Sequence, residues 1–207
     1  MTGVPLLAYA GGGSGGSTTH TFGAYQVDFN TGPVGIKIQG RSAAEVVRID
    51  EQNIPSNLKV DYSEQGGILT VTVSDAAAGT KAAKPVPAGT LYATMPRYEF
   101  VHLATGSGNV TIDNLSTDHL TIKTREGDIN VTNTNAALKA SSTTGNQRYG
   151  QLYGALDASS TSGSMSVSHT WGVMNLESQS GSLNGVDVAL AGKNVVGGIE
   201  SDPSQHG

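Results

Sequence analysis

Thr144-Gly145-Asn146-Gln147-Arg148-Tyr149 and Ser162-Gly163-Ser164-Met165-Ser166-Val167 are equivalent stretches, each led by a Gly, and the pattern they share decides the fold. Working outward, the same Gly-led opening recurs at Gly108, Gly127 and Gly181. The corners thus follow one another with a period of about 18 residues, a single residue longer between Gly108 and Gly127. Two positions past each Gly stand Val110, Ile129, Gln147, Met165 and Leu183. Four past it stand Ile112, Val131, Tyr149, Val167 and Gly185. Such period-two alternation marks a strand with one buried face. A second strand follows in every repeat. Leu120, Leu138, Leu156 and Met174 form one of its columns, and Ile122, Ala140, Ala158 and Leu176 the next, once the extra residue of the first repeat is allowed for.

Helices are a poor fit to units filled with Thr, Ser, Asn and Val, which are weak helix formers and compete for backbone hydrogen bonds. The chain therefore reads as all-β, each unit of about 18 residues being one coil of a β-solenoid whose equivalent residues stack ~4.8 Å apart. Gln147 departs from the pattern, since its column calls for an aliphatic residue. Thr124, Ser142, Ser160 and Ser178 share a position that reads either as an internal hydroxyl ladder near a corner or as a solvated turn. Lys139, Asp157 and Asn175 fall in one outward column, with Lys139 and Asp157 a cross-rung ion pair rather than a catalytic one. Tyr153 and Trp171 are equivalent and stack as neighbours. They read as a partly buried packing pair or, if exposed, as a shelf for a glycan or partner.

The first half is less regular but still alternates, at Tyr25, Val27 and Phe29, at Val34, Ile36 and Ile38, at Leu58, Val60 and Tyr62, and at Leu69, Val71 and Val73. The segment Ala43-Ala44-Glu45-Val46-Val47 is β-branched at its end and favours a strand over a helix. Pro85 and Pro87 exclude the Ala-rich stretch from a ladder. The expected organisation is an apolar segment with a Gly/Ser linker or arm over 1–20 and an irregular β part over 21–89 with a loop at 76–89. Regular solenoid repeats follow over 90–200 and a tail over 201–207. Within the arm, Val4, Leu6, Leu7 and Tyr9 suit strand donation to a neighbouring copy, a cap on their own solenoid, or the remnant of a signal. An intact signal peptide is not expected, because no basic region precedes Val4–Ala10. No apolar run reaches the length of a membrane span.

The 12 Lys and Arg against 17 Asp and Glu leave a net charge of −5 without a basic stripe, which argues against nucleic acid. With no Cys there is no thiolate site and no disulfide framework. Gly11–Gly16 matches GxGxxG in letters only, since neither a helix nor a suitably spaced acid follows, so no cofactor is expected. The His residues at 20, 102, 119, 169 and 206 show no metal-ligand spacing, and no GxSxG elbow is present, so neither metal nor catalytic residues are expected. Among the acids Asp113, Asp118, Glu126 and Asp128, neither Asp113 nor Asp118 has a second carboxylate in the neighbouring rung of its column, and Glu126 and Asp128 flank a corner Gly and are expected to point to solvent. Cleavage of a polysaccharide therefore rests on fold analogy alone.

The segments Pro87–Pro96 and Leu103–Ile112, with the later returns at Thr144-Gly145, Ser162-Gly163 and Ser180-Gly181, resemble the bacterial putative-adhesin family of β-strand-repeat proteins, a domain of unknown function. The resemblance implies a single-stranded parallel β-helix, right-handed, and an extracellular or cell-envelope location. A rod faced with Thr, Ser, Asn and isolated charges suits display and multivalent contact. The expectation is thus a non-enzymatic adhesive or structural surface protein binding a glycan or protein. The alternatives are a self-assembling homo-oligomer or fibre using segment 4–10, and a polysaccharide-binding or polysaccharide-cleaving β-helix.

Overall fold

The computed structural model describes residues 9–10, 18–75, 89–190, 194–196 and 199–201, and among these there are strands and no helix. Three strands carry the regular part: β12 (Ile129–Ser142), β13 (Gln147–Ser160) and β14 (Met165–Ser178). They pair in parallel with equivalent residues opposed, Leu138 to Leu156 to Met174 and Ala140 to Ala158 to Leu176. β15 (Leu183–Leu190) continues the stack beyond β14. Each of the three long strands bends where its φ turns positive, at Asn133, Gln151 and His169. Asn114 does the same in the coil before, where it separates β10 (Val110–Asp113) from β11 (Ser116–Thr124). Side chains past this bend, Leu115, Thr134, Leu152 and Thr170, are fully buried.

The bend divides the stack into two faces. On one, β8 (Thr90–Pro96), β4 (Gly35–Arg41), β10 and β12 run parallel in that order. On the other, β7 (Ile68–Asp75), β3 (Gln26–Asn30), β9 (Phe100–Thr105), β11 and β12 do so. One buried cluster runs through both halves of the chain, from Ala24 to Met174.

The sheet as a whole is mixed, which corrects the expectation of parallel pairing throughout. β6 (Leu58–Gln65) returns as β7 across Gly66 and Gly67, both at positive φ, in an antiparallel hairpin. β5 (Val47–Gln52) lies antiparallel between β8 and β2 (Thr18–Phe22), and β1 (Tyr9–Ala10) lies antiparallel on β6. At the other end β16 (Asn194–Val196) and β17 (Ile199–Ser201) form a short antiparallel pair. A tight turn can join only antiparallel neighbours, and the terminal rungs of a stack otherwise leave a row of backbone groups unpaired. The fold is all-β and solenoid-like, with antiparallel strands layered on its N-terminal end.

The corners are built by close approach. A Cβ on Gly145 would lie 2.0 Å from the Gly127 carbonyl oxygen, and one on Gly163 would lie 2.0 Å from that of Gly145. Just inside them the ladder reading holds: Thr124, Ser142 and Ser160 are buried. The amides of Gly127 and Gly163 donate to Thr124 Oγ1 (2.9 Å) and Ser160 Oγ (2.8 Å), while Ser142 Oγ donates to the Gly145 carbonyl (2.8 Å). Thr105 extends the ladder, donating to Thr124 Oγ1 at 3.2 Å. Outside each corner a second ladder runs unforeseen. The Asp128 amide donates to Asn109 Oδ1 (3.0 Å), Asn146 to Asp128 Oδ1 (2.8 Å) and Ser164 to Asn146 Oδ1 (3.2 Å).

Candidate functional site

The outward column Ser116, Asn135, Tyr153 and Trp171 is assembled by the register of β11 to β14. Tyr153 and Trp171 stack, with centroids 4.8 Å apart and planes at 17°, and remain 49% and 42% exposed. The pair therefore packs on itself rather than into the core. Tyr98, 76% exposed, joins this column from the turn before β9, because the Ser116 amide donates to the Arg97 carbonyl at 2.7 Å. Between the aromatic ends, Ser116, Thr117, Asp118 and Asn135 line a depression of about 200 Å³ together with Tyr98 and Phe100. A broader open hollow of about 480 Å³ adjoins it over Ala137, Ala155 and Val173. Its far side is polar: Lys139 Nζ stands 3.6 Å from Asp157, and Asn175 donates to Asp157 Oδ1 at 3.1 Å. The ion pair is exposed, so it is worth little in energy and serves register.

The candidate acids do not converge. Asp113 Oδ1 accepts from Asn133 (2.7 Å) and Thr132 (3.0 Å), and Oδ2 accepts from Gln39 (3.2 Å). Partial burial pushes its pKa up, but these bonds and the Asn114 backbone outweigh burial and hold the carboxyl below its ordinary value. Asp128 is taken up by the corner ladder, and Glu126 pairs with Arg125 at 3.2 Å. Asp118 stands apart from the other three, in the depression.

The sign of the Asp113 effect follows from its lowered pKa. Its stabilisation is present above the unfolded carboxylate value and is lost as pH falls through the lower folded value. Asp113→Asn should therefore destabilise the protein at about pH 6 and matter little at about pH 2, as read from urea midpoints.

The histidines are scattered. His102 Nδ1 lies 3.1 Å from Asp28 and His119 packs on Phe100, with centroids 5.7 Å apart. His20 sits 3.3 Å from Glu51, whose Oε1 also accepts from the Tyr62 hydroxyl at 2.9 Å. Among the described residues no three His, Asp or Glu gather to hold a metal. In the arm, Tyr9 and Ala10 pair with Tyr62 and Asp61 of the same chain, while Val4, Leu6 and Leu7 lie outside the described residues, as does His206.

Sequence reasoning missed Tyr98, Asn135 and the setting of Asp118. The signal for Asp118 is the longer spacing from Gly108 to Gly127. Its extra residue enters where the pairing of β11 with β12 shifts register between Thr117 and Leu120.

The class these features define is an all-β, solenoid-like repeat protein with an outward aromatic column and no convergent acid pair among the candidate acids. Residues 97–193, just under half of the chain, match the family described as Toastrack DUF4097. The resemblance to a putative-adhesin family of unknown function is thereby shown. Three solved structures are similar in part. A putative adhesin from Parabacteroides merdae is 15% identical, covering 89% of this chain and 96% of its own, with a TM-score of 0.37. A putative adhesin from Bacteroides fragilis is 16% identical, covering 88% and 98%, at 0.35. A putative cell adhesion protein from Clostridium sporogenes is 9% identical, covering 83% and 99%, at 0.30. No curated protein matches the chain.

Proposed function

We propose that this protein is a non-enzymatic adhesive and structural protein of the cell surface or extracellular space, displaying a glycan- or protein-binding face on a rigid rod. In this reading the repeats from residue 90 to residue 190 form a single-stranded parallel β-helix with about 18 residues in each coil, right-handed as the resemblance implies, and the antiparallel pair β16–β17 follows them. Residues 21–89 form its irregular base, 1–20 an arm and 201–207 a tail. The observation that carries the function is the stacked, exposed pair Tyr153 and Trp171 beside a polar outward column on a stiff scaffold. Large aromatic faces left in water on a monomer mark contact surfaces. Binding to a glycan array and to intact bacterial and epithelial cells is the test. The chain should bind at least one of these, and the double variant Tyr153→Ala/Trp171→Ala should bind at least about tenfold less. No binding to any of them removes the reading, and retention by the double variant removes the aromatic pair from it.

A second reading, self-assembly into an oligomer or fibre, is favoured by one observation. The β6 edge accepts β1 as an added antiparallel strand, so it is open to the same segment from another copy. If the arm is exchanged, deletion of residues 1–16 abolishes oligomers seen by light scattering. Unchanged assembly after deletion removes strand donation.

A further inference from the structure

We propose that the notch between Tyr98 and Tyr153 binds a single uncharged pyranose unit of a glycan, an inference that rests on the adhesive role above and narrows its site and ligand. Tyr153 and Trp171 stack face to face, so one face of each ring is covered by the other. The second face of Tyr153 is turned to the Asn135 rung, beyond which come the rungs of Ser116 and Tyr98. Two rungs of small polar side chains thus lie between aromatic walls set three rungs, or ~14 Å, apart. A pyranose offers a face of C–H groups that packs on an aromatic ring and a rim of hydroxyls that need donors and acceptors. The notch supplies both.

The backbone is specially shaped at this place. The one longer coil takes up its extra residue as a bulge after Thr117, and Asp118 and His119 both face outward in consequence. Thr117 Oγ1 accepts from the His119 amide at 3.3 Å and holds the bulge. Bulges re-aim side chains and gather beside functional sites. Here the bulge delivers Asp118 to the depression, where a carboxylate can accept hydroxyl protons from a sugar rim. The depression's lining holds this carboxylate and no Lys or Arg, and the chain is acidic overall. Both features disfavour uronic-acid and sulfated sugars, which is why the occupant is uncharged.

The test is calorimetric titration with neutral cello-, malto-, xylo- and manno-oligosaccharides, and with polygalacturonate and chondroitin sulfate as acidic probes. One neutral series should bind and the acidic probes should not. Tyr153→Ala and Asp118→Asn should each weaken binding about tenfold or more, while Trp171→Ala, which removes only the backing ring, weakens it less than about threefold. Excising Asp118, which restores the common coil length, should abolish binding with the β-sheet circular dichroism intact. Three results overturn the notch while leaving the adhesive role standing. These are equal losses at Tyr153 and Trp171 with none at Asp118, preference for an acidic probe, and no neutral oligosaccharide bound by a protein that still attaches to cells. A chain that binds neither oligosaccharides nor cells removes both.

Discussion

Gly145→Ala should lower the melting temperature by roughly 6–12 °C, corresponding to a loss of about 3 kcal/mol in a chain of this length. The new Cβ would meet the Gly127 carbonyl oxygen at 2.0 Å and its carbon at 2.6 Å. Backbone cannot swing aside as a side chain can. Relief on the other side is also closed, because Gly163 already presses as closely on the Gly145 carbonyl. The coils must therefore part, and the amide bonds to the internal hydroxyls part with them. Gly150→Ala is the control: its nearest contacts stand at 3.5 and 3.6 Å, an ordinary van der Waals fit, and it sits away from the corner. It should be neutral or slightly stabilising. Thermal melts of the two variants decide the matter, and equal melting temperatures would show that corner glycines are not held by close approach.

The second large effect is expected from a substitution that makes the repeat look better. Gln147 occupies a column otherwise filled by Val110, Ile129, Met165 and Leu183, yet it is fully buried. Its amide donates to Ser142 Oγ (2.9 Å) and the Ser159 carbonyl (2.6 Å), and its oxygen accepts from the Tyr149 hydroxyl. Tyr149 is itself buried, and burial pushes its pKa above the ordinary value, so the hydroxyl keeps its proton. Gln147→Leu should cost about 2 kcal/mol, because it strands that hydroxyl and a carbonyl in the core. The double variant Gln147→Leu/Tyr149→Phe should recover about half or more, since it removes both partners of one bond. A chemical-denaturation cycle measures this. Additive losses would mean that the two side chains do not act together.

The regular half was legible because each repeat states its register twice, once at the Gly and once at the Leu column, and any shift of one residue would turn Leu138 and Leu156 outward. The pairing of Leu138 with Leu156 accordingly follows the expectation. The antiparallel layers were not legible. Alternation at Leu58–Tyr62 and Leu69–Val73 predicts strands but is silent on direction, which Gly66 and Gly67 settle through their positive φ. Of the site, Tyr153 and Trp171 were visible as equivalents. Tyr98 was hidden because it precedes the first Gly corner, and Asp118 because an insertion of one residue reads as noise until its backbone is seen. The ladder of Asn109, Asp128 and Asn146 was missed for a different reason: residues of differing charge serve one role, accepting a neighbour's amide proton.

Ile36 pairs with Val110 although β5 to β9 lie between these two residues along the chain. From β10 onward each rung meets the next after a single coil of chain. Closing the longer loop costs more chain entropy and brings no reward until β4 and β10 meet. Assembly should accordingly begin in the repeats around β12 to β14 and reach the β3–β4 rung late. Pulsed hydrogen exchange during refolding would then protect the Leu138 and Leu156 amides well before those of Ile36 and Ile38.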